Sequence, residues 1–237
     1  MKIQYSKVGG VLEGGLQPAR GFSPASLTYA SPTQYQRIVP KQGSKPGPDL
    51  VQAAIDGVGS PTGRARLGAS KVLRDLSGQS PDLIYPHFDF FAGLLGSPNH
   101  ILKWNATLTL ASLATVDRDG RLDQIMDAYL APISGPNMID AANAIRGAAV
   151  IALAKPYLAP GIAARILAVE RASYATAECR NVAIGHAIRA FDQIFDAAGG
   201  QREVLRFVNR QTENPRPATR AKARRFLRKR SSGAGTA

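Results

Sequence analysis

Apolar positions recur at helical spacing along most of this chain, beginning near Pro48. In the commonest pattern, apolar positions follow a small or aliphatic residue at offsets of three, four and often seven, as in Ala69-Val72-Leu73-Leu76. Such offsets place the positions on one face of an α-helix, and no strand-like alternation interrupts them. The pattern predicts helices over 48–57, 62–77, 82–95, 99–115, 121–131, 137–155, 160–171, 177–197, 201–212 and 217–230.

The same pattern returns at a roughly constant interval. Its copies begin at Ala69, Ala106, Ala149, Ile184 and Ala223, which are 37, 43, 35 and 39 residues apart. A second amphipathic helix lies between successive copies. Because each helix pair has an apolar face that it cannot bury alone, we expect the pairs to stack in series around one continuous core.

These features resemble HEAT repeats. The resemblance covers residues 48–230 and is carried by degenerate apolar stretches: Ile101-Leu102-Lys103-Trp104-Asn105-Ala106, Ile145-Arg146-Gly147-Ala148-Ala149 and Ala152-Leu153-Ala154. It implies an all-α fold, a right-handed α-α superhelix of HEAT-like helix pairs. It says little about function, because HEAT-like proteins include scaffolds, transport adaptors, bilin lyases and one family of DNA glycosylases.

Two terminal segments lie outside this region. Residues 1–47 are rich in Pro and Gly without a sustained period, which predicts an irregular basic arm. A flexible tail is predicted over residues 231–237. No apolar stretch suits a signal peptide or a membrane span, and Cys179 is the one cysteine. A cytoplasmic protein is therefore expected.

The charge of the chain is concentrated at its ends. The formal net charge is +13, of which residues 1–47 carry +5, residues 48–200 carry −1 and residues 201–237 carry +9.

Arginines recur every four residues on the two last predicted helices, which places them on one face of each. Arginine binds phosphate and carboxylate in bidentate fashion. The candidate anion-binding or nucleic-acid-binding residues are Arg202, Arg206, Arg210, Arg220, Arg224, Arg225 and Arg228. The alternative is a solvated cap on the last repeat.

Other candidate chemistry is sparse. Asp123 and Asp127 share one helix face and could bind a basic partner, or could simply be solvated. The scattered histidines and Cys179 form no motif for catalysis or for a metal, so we expect no catalytic residue, no cofactor and no metal. Trp104 is expected to pack between repeats rather than to serve as a base-stacking ring.

Three hypotheses follow for function. The favoured one is a non-enzymatic interaction scaffold that binds a protein or peptide on its curved surface. The alternative is a nucleic-acid-binding protein that uses the C-terminal arginines. The third, an enzyme similar to the HEAT-like alkylpurine DNA glycosylases, requires an aromatic-lined cleft with a carboxylate, which the sequence does not locate.

Overall fold

The computed structural model describes residues 47–233, and within them every regular element is helical. The prediction of an all-α fold is therefore confirmed. The α-helices are α1 (Pro48–Val58), α2 (Gly63–Gln79), α3 (Pro81–Ile84), α4 (Phe88–Leu94), α5 (His100–Leu113), α6 (Arg121–Leu130), α7 (Met138–Ala154), α8 (Ala159–Leu167), α9 (Ala177–Ile194), α10 (Gln201–Arg210) and α11 (Pro217–Gly233). Short 3-10 turns extend several of them: Tyr85–His87, Ala131–Ser134, Pro156–Leu158, Ala168–Arg171, Phe195–Ala197 and Gln211–Glu213.

Two predicted segments differ from the structure. The helix expected over 82–95 is interrupted by the 3-10 turn Tyr85–His87. Pro86 lies in this turn, where it has no N–H to donate and its ring would clash with a continuing α-helix. The last helix continues to Gly233, so the expected tail begins later than residue 231. The N-terminal arm and residues 234–237 lie outside the described residues.

The long helices pack against one another in sequence order. Helix α2 contacts α5, α5 contacts α7, α7 contacts α9, and α9 contacts α11. The shorter segments pack on the long helices: α4 packs on α5, α6 on α7 and α10 on α11. Small side chains allow the close approach of the long helices: in α7 the buried positions include Ala141, Ala144, Ala148 and Ala152.

One hydrophobic core runs through the described part of the chain, from Val51 in α1 to Phe226 in α11. Helix α7 passes closely over the Tyr129 side chain of α6 at Gly147. A Cβ at this position would lie 1.9 Å from the Tyr129 hydroxyl oxygen. That hydroxyl donates a 2.9 Å hydrogen bond to the Thr107 carbonyl. Glycine is thus required where α7 passes over the side chain of α6.

Polar side chains connect each helix pair to the next one. Examples are the bonds from Arg74 to Asn105, from Lys229 to Asp192 and from Tyr174 to the Ile133 carbonyl, which span 31, 37 and 41 residues respectively. Contacts restricted to the neighbouring pair are characteristic of helices that are stacked in series.

The most buried ion pair lies at one of these junctions. Lys155 Nζ is 2.8 Å from Asp117 Oδ2, and their side chains are 8% and 0% exposed. Asp117 also accepts hydrogen bonds from the Tyr85 hydroxyl and from the backbone amides of Arg121 and Leu122. It therefore caps the start of α6 and joins three successive helix pairs.

Candidate anion-binding face

The predicted arginine row on α10 is largely engaged within the protein. Arg206 pairs with Glu203 at 2.6 Å. Arg210 binds Glu170 through two hydrogen bonds of 3.0 and 2.7 Å, which fix α10 to the preceding helix pair. Arg202 is exposed. Two of the three guanidinium groups thus already have a carboxylate partner.

The second predicted row, on α11, is directed toward the turn that precedes this helix. Arg220 donates to the carbonyls of Asn214 and Pro215. Arg224 donates to the Thr212 carbonyl and lies 3.8 Å from Glu213. Arg228 lines a shallow hollow with Leu205 and Leu227. This row stabilises the end of the fold, whereas Arg225 lies apart from it.

The two candidate carboxylates have different environments. Asp123 accepts hydrogen bonds of 3.0 and 2.9 Å from the Tyr157 hydroxyl and lies 3.9 Å from Lys155 Nζ. Asp127 is exposed. Asp123 thus takes part in the junction between helix pairs, and the structure brings no basic group from another element onto Asp127 within 47–233.

A different set of basic residues, of which the sequence analysis singled out only Arg225, lies along the long helices. Each helix contributes few of them, so that no linear motif marks the set, but serial packing places them side by side. We call this surface the long-helix face. Its basic members are Arg64, Lys71 and Arg74 on α2, Arg146 on α7, His186 and Arg189 on α9, and Lys222, Arg225 and Lys229 on α11.

Four of these side chains form a cluster across α7, α9 and α11. Arg146, Arg189 and Arg225 are exposed and Lys222 is half-buried. The Lys222 amine lies across α9, only 3.1 Å from the point where a Cβ on Gly185 would be. Within the part of the chain that the structure describes, none of the four forms an ion pair with a carboxylate. The cluster is a concentration of positive charge without internal compensation.

Neighbouring positive charges lower the pKa of two groups in this region. Burial lowers the pKa of Lys222, and the positive charges of Arg189, Arg216 and Arg225 lower it further. Burial likewise lowers the pKa of His186, with contributions from Lys222, Arg189 and Arg146. Because a bound anion would offset this repulsion, the cluster favours a negatively charged ligand.

A groove of about 720 Å³ continues from this cluster over α2, α5 and α7. Arg64, Lys71 and Arg74 lie on one side of it and Arg146 on the other. Asp75 pairs with Lys71 and Arg74 at 2.7 and 2.8 Å, so the first side is only partly neutralised. Three apolar side chains of α5 line the groove between these basic groups: Ile101, Trp104 and Leu108.

Trp104 lies at the junction of two helix pairs, as expected, and it also lines the groove. Its side chain is half-buried. Its Nε1–H donates to the buried carboxylate of Asp140, which also lies 2.9 Å from His100 Nδ1 and 3.5 Å from Lys103 Nζ. The Asp140 carboxylate therefore holds the indole in one orientation at the groove.

Among residues 47–233, no helix is long and apolar enough to cross a membrane, and no three His, Cys, Asp or Glu side chains converge in a way that could hold a metal ion. No protein-family model matches the sequence, and no curated protein matches it significantly.

Proposed function

We propose that this protein is a HEAT-like helical-repeat scaffold, without catalytic activity, that binds an anionic macromolecule on its long-helix face. The serial packing of the long helices and the polar bonds between neighbouring pairs support the repeat architecture. Such stacking produces an extended binding surface from many small contributions.

The observation that carries the proposal is the cluster of Arg146, Arg189, Lys222 and Arg225. Exposed arginines are usually close to a carboxylate when their role is structural, as Arg210 is here. The cluster instead places like charges together on three adjacent helices. Arrangements of this kind raise the local concentration of an anionic partner and accelerate its association.

This proposal modifies both leading hypotheses drawn from the sequence. A scaffold remains the favoured function, but its partner should carry negative charge. The site moves from the C-terminal arginine rows to the long-helix face, because Glu203, Glu170 and Glu213 already compensate part of those rows. Arg225 is common to both versions of the site.

The test compares two triple variants that remove the same charge. Arg146→Ala/Arg189→Ala/Arg225→Ala alters the long-helix face, and Arg118→Ala/Arg165→Ala/Arg171→Ala removes exposed arginines that lie outside the long helices. Fluorescence anisotropy would follow binding of labelled oligonucleotides and of a poly-glutamate peptide at several salt concentrations. Far-UV circular dichroism would verify folding of both variants.

We expect the wild type to bind at least one of these polyanions with an affinity that falls steeply with salt. For a nucleic acid, the long-helix variant should lose about 2–3 units of the logarithmic salt slope, since each lost phosphate contact accounts for about 0.7–0.9. The control variant should retain the slope. Equal losses in both variants, or no binding of any polyanion, would refute the proposed function.

A further inference from the structure

The groove over α2, α5 and α7 combines three kinds of surface that the cationic cluster alone does not require. It has basic groups on two sides, a half-buried indole between them, and exposed apolar side chains beside the indole. Ile101 is 41% exposed, and it lines the groove together with the apolar side chains of Leu67 and Leu108. A purely electrostatic binding surface would not need these apolar groups.

We propose that this groove binds single-stranded nucleic acid, with a base stacked on Trp104 and a flanking phosphate held by Arg146. The inference rests on the proposed function, because it names the anionic partner of the long-helix face. The strand would continue from Arg146 across α9 and α11 along the cationic cluster.

The fixed orientation of Trp104 supports a stacking role. Its ring edge is tied to Asp140, and the His100 ring lies beside it with centroids 6.5 Å apart and planes inclined by 34°. A ring that is already ordered loses little conformational entropy when a base stacks on it. Base–aromatic stacking is tolerant of sequence, because every base has a π face.

The positions of the charges also suit a single strand. Arg146 lines one side of the groove, and Arg64 and Lys71 line the other, where Asp75 neutralises part of the charge. A strand that crosses the groove would place a phosphate near Arg146 while its bases face the indole. This combination of a basic track with an interposed aromatic ring is the general arrangement in single-strand binding proteins.

Other occupants fit less well. An acidic peptide could neutralise the arginines but has no chemical need for the indole and the apolar side chains beside it. A duplex keeps its bases paired and stacked on one another, so Trp104 could not reach a base face. The N-terminal residues 1–47 carry a charge of +5 and would be repelled by the long-helix face.

The test uses Trp104 as its own reporter, since it is the one tryptophan of the chain. The full-length protein would be titrated with a short oligo(dT), with an abasic oligonucleotide of the same length, with a duplex, and with poly-glutamate. Intrinsic fluorescence reports stacking on Trp104, and anisotropy of labelled ligands reports binding. Trp104→Leu and Trp104→Phe would be compared with the wild type by anisotropy.

We expect oligo(dT) to quench Trp104 emission with saturation and the abasic strand to bind more weakly without quenching. Trp104→Leu should weaken oligo(dT) binding by about tenfold while Trp104→Phe retains much of it, because loss of one base–aromatic contact has an effect of this order. Binding of the abasic strand should not change in either variant, which separates loss of stacking from misfolding.

The two proposals fail in different ways. If oligo(dT) and the abasic strand bind equally and emission does not change, the stacking inference is overturned while the anion-binding function stands. Preferential binding of the duplex or of poly-glutamate would also overturn it. If no polyanion binds, the proposed function itself is refuted. The wild-type quenching measurement decides the inference even if Trp104→Leu does not fold.

Discussion

The buried pair of Asp117 and Lys155 provides a stringent test of how the helix pairs are joined. Removal of Asp117 leaves the Lys155 ammonium, 8% exposed, without the carboxylate that lies 2.8 Å away. It also removes the acceptor for the Tyr85 hydroxyl and for the amides at the start of α6. Three variants test this junction: Asp117→Ala, Lys155→Met and the double variant Asp117→Asn/Lys155→Met.

The expected losses follow from the number of partners that each change leaves unsatisfied. Asp117→Ala should cost about 4–6 kcal/mol, which combines an unpaired buried charge of about 3–5 kcal/mol with a lost helix cap of about 1 kcal/mol. Lys155→Met should cost only about 2–3 kcal/mol, because Asp117 keeps three hydrogen-bond donors. The double variant should lose under about 2 kcal/mol, since neither buried charge remains.

Urea denaturation followed by far-UV circular dichroism would give the free energies of unfolding. Thermal unfolding should show Asp117→Ala about 10–20 °C below the wild type, on a scale of about 2–4 °C per kcal/mol for a chain of this size. A loss below about 2 kcal/mol for Asp117→Ala, or a double variant no more stable than Lys155→Met, would refute the reasoning about a buried pair.

The pair also sets a pH dependence. Burial raises the pKa of Asp117, but hydrogen bonds from Lys155, Tyr85 and two backbone amides outweigh it, so the pKa is lowered overall. Burial lowers the pKa of Lys155, but its bonds to Asp117 and Tyr157 raise it overall. The stabilisation is therefore present between about pH 4 and pH 10, the ordinary values of the two groups. It is lost as the pH falls through the folded pKa of Asp117 or rises through that of Lys155, and the double variant should lack both dependences.

Two further predictions concern α7 and α9. Gly147→Ala should destabilise the fold by about 3 kcal/mol, because the new methyl group would overlap the Tyr129 hydroxyl. Gly161→Ala, a helical position with open space, should instead stabilise it by about 0.5–1 kcal/mol, and equal effects of both changes in urea denaturation would contradict the close crossing. Polyanion affinity should rise as the pH falls below about 6.5, the ordinary pKa of histidine, because the pKa of His186 is lowered in the free protein and a bound anion favours the protonated ring. His186→Gln should remove that rise in an anisotropy titration, and an unchanged pH profile would exclude His186 from the face.

The residues within each short segment explain why most helix positions were predicted correctly. Helices α5 and α9 begin at His100 and Ala177 because Asn99 and Thr176 cap their N-termini. Each capping side chain accepts hydrogen bonds from backbone amides two or three residues further along the chain. The apolar period over 82–95 did not predict the interruption at Pro86, which the structure places within a 3-10 turn.

The candidate site shows where local pattern stops being informative. A four-residue spacing marked Arg206 and Arg210, but it could not reveal that Glu170, 40 residues before Arg210, already binds one of them. Conversely, Arg146 is the one basic residue of α7, and Arg189 forms no recognisable motif with the other basic residues of α9. They become neighbours of Lys222 only through the packing of α7, α9 and α11.

The sequence by itself determined the helical class, most helix positions and the interval between like helices, because these depend on the periodicity of apolar residues within short segments. Only the tertiary structure decided which charges are compensated, which cations lie together and that Trp104 lines a groove. The physical reason is that electrostatic and aromatic sites depend on distances between side chains from different helices, and those distances are set by packing rather than by spacing along the chain.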